Sequence, residues 1–150
     1  MFHDGANFAP SNVYIMKTNK IIPMLSKGFI LLSALSLLSV SIMAFSDPQS
    51  VMDLVEVKLG NTDAYSSIRG IYGGTGLAIV ISLVYLMWKE YQKGLFFLAL
   101  LWGLYALSRL ITIGKEGALG DFGTQWLYIE SIFFCISLLL FVLNKKIATK

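Results

Sequence analysis

Histidine and cysteine are almost missing from this chain: 150 residues contain one of each, His3 and Cys135. A histidine metal site or a Ser, His, Asp relay therefore has no material, and a lone cysteine excludes an intrachain disulfide. Cys135 lies in an apolar run, where an inert buried thiol is the expected state. Charged residues make up only 14%. The apolar runs contain no paired carboxylates, and nothing in the sequence calls for a metal or another cofactor. The glycine-rich stretch "GIYGGTG" has the spacing of neither standard phosphate-binding fingerprint and leads into apolar residues, so a nucleotide loop is set aside.

What is abundant is apolar: 56% of residues are hydrophobic, and the mean hydropathy is +0.70, the composition of a small membrane protein. Four apolar runs approach the ~20 residues a helix needs to cross ~30 Å of hydrocarbon, at about 28–46, 66–88, 94–113 and 125–143. The expected fold is all-α, a polytopic antiparallel four-helix transmembrane bundle over residues 25–143. Residues 1–24 are expected as a disordered cytoplasmic leader with Met16 as an alternative start, and 144–150 as a basic cytoplasmic tail. Cleavage of the first run as a signal peptide is disfavoured, because the run is long and bulky Ile42 stands three before a cut after Ala44.

Orientation follows from lysines. With both termini on one side, that side holds Lys17, Lys20, Lys27, Lys89, Lys93, Lys145, Lys146 and Lys150, and the other side's loops hold Lys58 and Lys115. Positive residues favour the cytoplasm, so both termini are expected there, in a multi-pass protein of a bacterial inner membrane. The net charge of +3 is then met by anionic lipid, with no nucleic acid as partner.

Between the first two runs, "SDPQSVMDLVEVKLGNTD" reads as a short interfacial helix. Asp47 caps it, Pro48 takes its first position and Gly60 follows its last turn. Val51, Leu54, Val55 and Leu59 are expected to share its apolar face.

Three ionisable residues lie inside the runs: Arg69, Arg109 and Glu130. At about 1.5 Å per residue they fall about 28, 23 and 20 Å from the cytoplasmic side, all toward the outer leaflet. Charges there are costly, ~2.5–3.5 kcal/mol each, and normally pair. Glu130 is expected to bond Arg109 or Arg69. One positive charge is then left over, to be met by Asp63, Asp121, water, lipid phosphate or a ligand's anionic group. Arg69, Gly73 and Gly76 share a helix face. The pair Gly70 and Gly74 fits Gly-x-x-x-Gly, so the glycines serve either close helix contact or a cavity beside the arginine. Trp102, Tyr105 and Arg109 form one stripe and Trp126, Glu130 and Ser137 another, either core packing or the lining of a pocket. Ser33, Ser36, Ser39 and Ser41 suit tight helix contacts.

Asn61, "RGIYGG" from Arg69 to Gly74, Arg109, the loop "GKEGALGDFG" and Glu130 together resemble an uncharacterised family of small bacterial four-helix membrane proteins, a domain of unknown function. The resemblance covers about residues 25–143, and the architecture is distantly similar to DoxX-type proteins. It implies that Arg69, Gly73, Gly74, Arg109 and Glu130 matter, and it supplies no activity. The loop departs from the family's arrangement, since Phe122 follows Asp121 and no proline comes after.

These residues lead to an expected outer-leaflet polar site of Arg69, Arg109 and Glu130, with Gly73, Gly74, Asn61, Tyr105 and Trp126 around it. It would bind a small amphiphile or lipid headgroup, or the bundle would act as a subunit of a homo-oligomer or larger membrane assembly. Two alternatives stay open: a membrane enzyme with Glu130 as general acid or base, and an ion or proton transport component.

Overall fold

The computed structural model describes residues 10–148, with side chains described over 20–147. In chain order the elements are α1 (Pro10–Ser46), α2 (Pro48–Asp53), α3 (Thr62–Ile68), a π-helical turn (Arg69–Thr75), α4 (Gly76–Lys89), α5 (Tyr91–Glu116) and α6 (Asp121–Ala148). There is no strand among the described residues. The helix α3, the π turn and α4 run on without a break as one span, Thr62–Lys89. With Lys20–Ser46, Tyr91–Glu116 and Asp121–Ile147 it makes four helices long and apolar enough to cross a membrane. Each contains one of the apolar runs read from the sequence.

Both ends depart from the expected boundaries. Of the expected leader, residues 1–9 lie outside the described residues and 10–24 belong to α1. The stretch after Pro10 has no glycine before Gly28 and one internal proline, Pro23, so little interrupts helix. At the other end, the expected tail is helical through Ala148 as a continuation of α6.

The connections force antiparallel neighbours. Glu90 alone joins α4 to α5, in an extended conformation at φ −149°. Its N–H bonds the carbonyl of Leu86 (2.8 Å) and its carbonyl accepts from Lys93 and Gly94. At this same end Lys27 reaches from α1 to within 5.7 Å of the Tyr91 ring and 6.0 Å of Trp88, a cation lying over two aromatic faces. At the opposite end α5 stops at Gly117, whose φ of 105° favours glycine.

Helix α5 packs along α6, and α1 packs along α4 and the π turn. Ile30, Leu83, Leu95 and Leu98 are fully buried where these pairs meet, with Trp102 beside them. Outside, large apolar side chains such as Leu32, Ile81, Leu104 and Leu139 are exposed, whereas Ser26, Ser33, Ser41, Glu130, Ser137 and Asn144 are buried. Apolar surface around a polar-bearing interior is the arrangement a hydrocarbon solvent favours.

The interfacial segment is half the helix the periodicity predicts. Asp47 does cap it, accepting from the Gln49 N–H at 3.1 Å, but α2 ends at Asp53, well before Gly60. Glu56 then takes a left-handed φ of 58°, which breaks the helical face. Val51 and Leu59 pack inward with Met52, Ala44 and Ile68, while Leu54 and Val55 are exposed. Gln49 holds the fold-back: its amide donates to Asp53 Oδ1 (2.7 Å) and to the Val57 carbonyl (2.9 Å), and its oxygen accepts from Leu59 N (3.0 Å).

Candidate functional site at the α2 end of the bundle

The two intramembrane charges of α5 and α6 face each other. Arg109 donates from Nε to Glu130 Oε2 at 2.6 Å and from Nη2 to Oε1 at 2.8 Å. The geometry is the planar fork that suits guanidinium and carboxylate. Glu130 is 2% exposed, and the Arg109 side chain 22%. Close packing lets the two helices hold this register. A Cβ on Gly103 of α5 would come within 3.0 Å of the Phe134 ring on α6, so only glycine leaves room for that ring.

Arg69 makes its bond elsewhere. Its Nε donates to the carbonyl of Phe45 at 3.1 Å, in the last turn of α1. Carbonyls in a last turn lack intrahelical partners and carry the negative end of the helix dipole, so a cation there is well placed. Among the described residues the ion pairs are Lys58 with Asp53, Lys93 with Glu90, and Arg109 with Glu130, so Arg69 has no carboxylate partner. Neither Asp63 nor Asp121 supplies one.

Arg69, Gly73 and Gly76 share the face that meets α1. The Phe45 ring lies 3.1–3.2 Å from where a Gly73 Cβ would stand, and a Cβ on Gly76 would run into Ser41 Oγ. Of the two readings of these glycines, Gly73 and Gly76 serve close helix contact, and Phe45 fills the space beside Gly73. Gly70 and Gly74, the pair that fits Gly-x-x-x-Gly, have nothing within 4 Å of an added Cβ.

The remaining expected residues divide. Tyr105 lies within electrostatic reach of Tyr72 on the π turn and of Glu130 and Arg109. With Leu101, Leu104 and Ser108 it lines a shallow, open groove of about 310 Å³. Trp102, one turn toward the Glu90 end, is 6.3 Å from the Tyr105 ring and edge-on to Phe133 at 5.1 Å. Trp126 packs against Phe122, with ring centroids 6.1 Å apart and the planes tilted by 54°. Asn61 caps α3, its Oδ1 accepting from Ala64 N at 2.8 Å, and this accounts for its place in the pattern.

Two polar residues escaped the sequence reading. Asn144 Nδ2 donates to Ser26 Oγ and to the Leu140 carbonyl, both at 2.7 Å, tying α6 to α1 near the Glu90 end. Its signal was available: Glu130, Ser137 and Asn144 recur every seven residues on α6, and all are buried. The other is Gln49, whose role depends on contacts that no periodicity announces.

The arrangement offers one neutralised ion pair, one cation with spare donors and a tyrosine-lined groove. No group of three or more potential metal ligands occurs among the described residues. The family described as a domain of unknown function (DUF4345) matches residues 25–141, most of the chain and all of Arg69, Arg109 and Glu130. No curated protein and no solved structure matches.

Proposed function

We propose a binding role, starting from the premise that the chain belongs to the DUF4345 family, whose description assigns no activity. The chain is a multi-pass membrane protein, with four helices long and apolar enough to span. Our reading is that it holds the anionic head of a small amphiphile or lipid at Arg69, with the tail in the groove lined by Leu101, Leu104 and Tyr105. The observation that carries this is the charge left over: Glu130 is taken by Arg109, and Arg69 has donors beyond the one spent on Phe45. Tyr72, three residues on from Arg69, lies within electrostatic reach of Tyr105 on the groove.

The same fork counts against Glu130 as a general acid or base. Both oxygens already accept from a guanidinium, and the residue is 2% exposed, so a substrate would first have to open the pair. A relay for ions or protons has, among the described residues, only this one buried carboxylate to use.

The lysine distribution supports an inner membrane of a bacterium, with both termini cytoplasmic and Arg69 in the outer leaflet. Labelling from outside intact cells tests this in a Cys135→Ser background: Lys58→Cys reacts and Lys89→Cys does not. The binding test is native mass spectrometry of protein released from nanodiscs of mixed zwitterionic and anionic lipid. Wild type retains anionic adducts and Arg69→Ala loses them; equal retention by both would sink the proposal.

A further inference from the structure

Three buried polar side-chain atoms have no hydrogen-bond partner within the described protein: Asn144 Oδ1 near the Glu90 end of α6, and, deeper in the bundle, Ser33 Oγ on α1 and Trp102 Nε1 on α5. Ser33 is 0% exposed and Trp102 4%. Ser33 is set apart from its neighbours. Ser26, Ser36, Ser39 and Ser41 each donate to a carbonyl three or four residues earlier on α1, at 2.7–3.0 Å, and among the described residues Ser33 is the one buried serine of α1 that does not. Its hydroxyl is thus directed off its own helix.

Trp102 belongs to the same packed core cluster as Phe29, Ile30 and Ala34, the neighbours of Ser33 on α1. At about 1.5 Å per residue, Ser33 lies about 20 Å along α1 from Ser46, and Trp102 about 21 Å along α5 from Glu116. Both helices run in the same direction, and Ile30 packs into the space left by Gly94, its Cδ1 3.0 Å from where a Cβ would be. Side chains on a helix lean toward its N-terminus, so the Trp102 indole leans toward that contact. The Phe133 ring bridges the pair from α6, 5.1 Å from Trp102 and 5.2 Å from Phe29, which is one turn before Ser33.

Leaving such groups unbonded in hydrocarbon costs several kcal/mol each. The chemistry of the two atoms restricts what answers them. An indole N–H only donates, and a hydroxyl donates and accepts. The occupant must therefore present an acceptor lone pair, which excludes a bare cation. Phe29, Ile30, Phe133 and Gly94 carry no charge to offset an anion. We propose that Ser33 Oγ and Trp102 Nε1 together bind one neutral oxygen, either a buried water or the carbonyl or hydroxyl oxygen of a membrane-dissolved molecule. This site is separate from Arg69 and stands whether or not Arg69 holds a headgroup.

The test is nuclear magnetic resonance of protein carrying ¹⁵N-labelled tryptophan in nanodiscs, with the Trp102 indole resonance assigned by its loss in Trp102→Phe. The indole proton is expected at a hydrogen-bonded, downfield position that moves upfield in Ser33→Ala and stays in place in Ser36→Ala. Cross-relaxation with water protons identifies the occupant as water. Loss of the downfield position on exchange into a synthetic detergent identifies it as a membrane-dissolved molecule. A wild-type resonance at the position of a free indole overturns the proposal. A downfield resonance with neither water contact nor dependence on lipid indicates a direct bond between Trp102 and Ser33, and overturns it equally.

Discussion

Arg109 and Glu130 close a two-bond fork between α5 and α6, with Nε to Oε2 at 2.6 Å and Nη2 to Oε1 at 2.8 Å. Opposite charges on neighbouring antiparallel spans have cancelled in a buried place. The pair locks the register of α5 on α6 and leaves Arg69 without a carboxylate partner.

Breaking one side of this fork strands a charge. Arg109→Ala and Glu130→Ala are each expected to lose about 3–5 kcal/mol of bundle stability, the usual consequence of unpairing a buried ion. Replacing both, as Arg109→Met with Glu130→Leu, restores most of the loss because apolar packing takes over. Reversible unfolding in mixed micelles of increasing SDS fraction measures this. A double variant as unstable as the sum of the singles would rule out the clasp.

Gly76 and Ser41 supply a steric test of α1 on α4. A Cβ at Gly76 collides with Ser41 Oγ, while Ser41 Cβ stands at an ordinary 3.5 Å. Gly76→Ala is expected to cost about 1–3 kcal/mol as an overpacked contact. Adding Ser41→Ala removes the colliding atom and returns stability to near wild type. Gly70→Ala and Gly74→Ala, with open space at both positions, cost nothing and gain up to ~1 kcal/mol of helix propensity. The same SDS titration separates the two behaviours; equal losses at Gly70 and Gly76 would refute this assignment of the packed face.

The sequence made the spans and the ion pair legible for the same reason. Hydropathy fixes which residues enter hydrocarbon, and at matched depth a carboxylate and a guanidinium on adjacent helices have few other partners. What stayed hidden depends on backbone. The bond of Arg69 goes to the Phe45 carbonyl, which every residue type presents alike. The face of Arg69, Gly73 and Gly76 was legible from ordinary helical spacing, but not which of the two glycine sets would meet α1: Gly73 and Gly76 do, and Gly70 and Gly74 face open space. The apolar spacing of Val51, Leu54, Val55 and Leu59 was real in sequence, but the turn at Glu56 and the Gln49 clamp divided it between inside and outside.

Asn61 and Arg69 lie close in sequence and are expected to separate in experiment. Asn61→Ala removes the cap on α3 and costs about 1 kcal/mol, while retention of anionic lipid is unchanged. Arg69→Ala reduces retention. Unfolding and native mass spectrometry on the same samples check the pair. Loss of lipid in Asn61→Ala at full helix content would mean that Asn61 touches the ligand.

Asp53 gives the interfacial segment an acid limit. The amide of Gln49 foremost, and then Lys58 at 3.2 Å, hold its carboxyl below the ordinary value of 3.8, with desolvation opposing them. A carboxyl whose folded pKa is lowered stabilises while ionised. Its contribution is complete above 3.8 and is lost as pH falls through the lowered folded value. Because Gln49 bonds Asp53 and Leu59 at once, protonation frees the amide that clamps the fold-back. The Leu59 backbone N–H resonance is therefore expected to be constant above pH 3.8 and to move as acid is added below it. In Asp53→Asn the acid-dependent movement disappears, since of the other carboxyls in the segment Asp47 bonds Gln49 N and Ser50, and Glu56 is not among the partners of the Gln49 amide. Persistence of the same titration in Asp53→Asn would transfer the acid sensitivity to Asp47 and its cap.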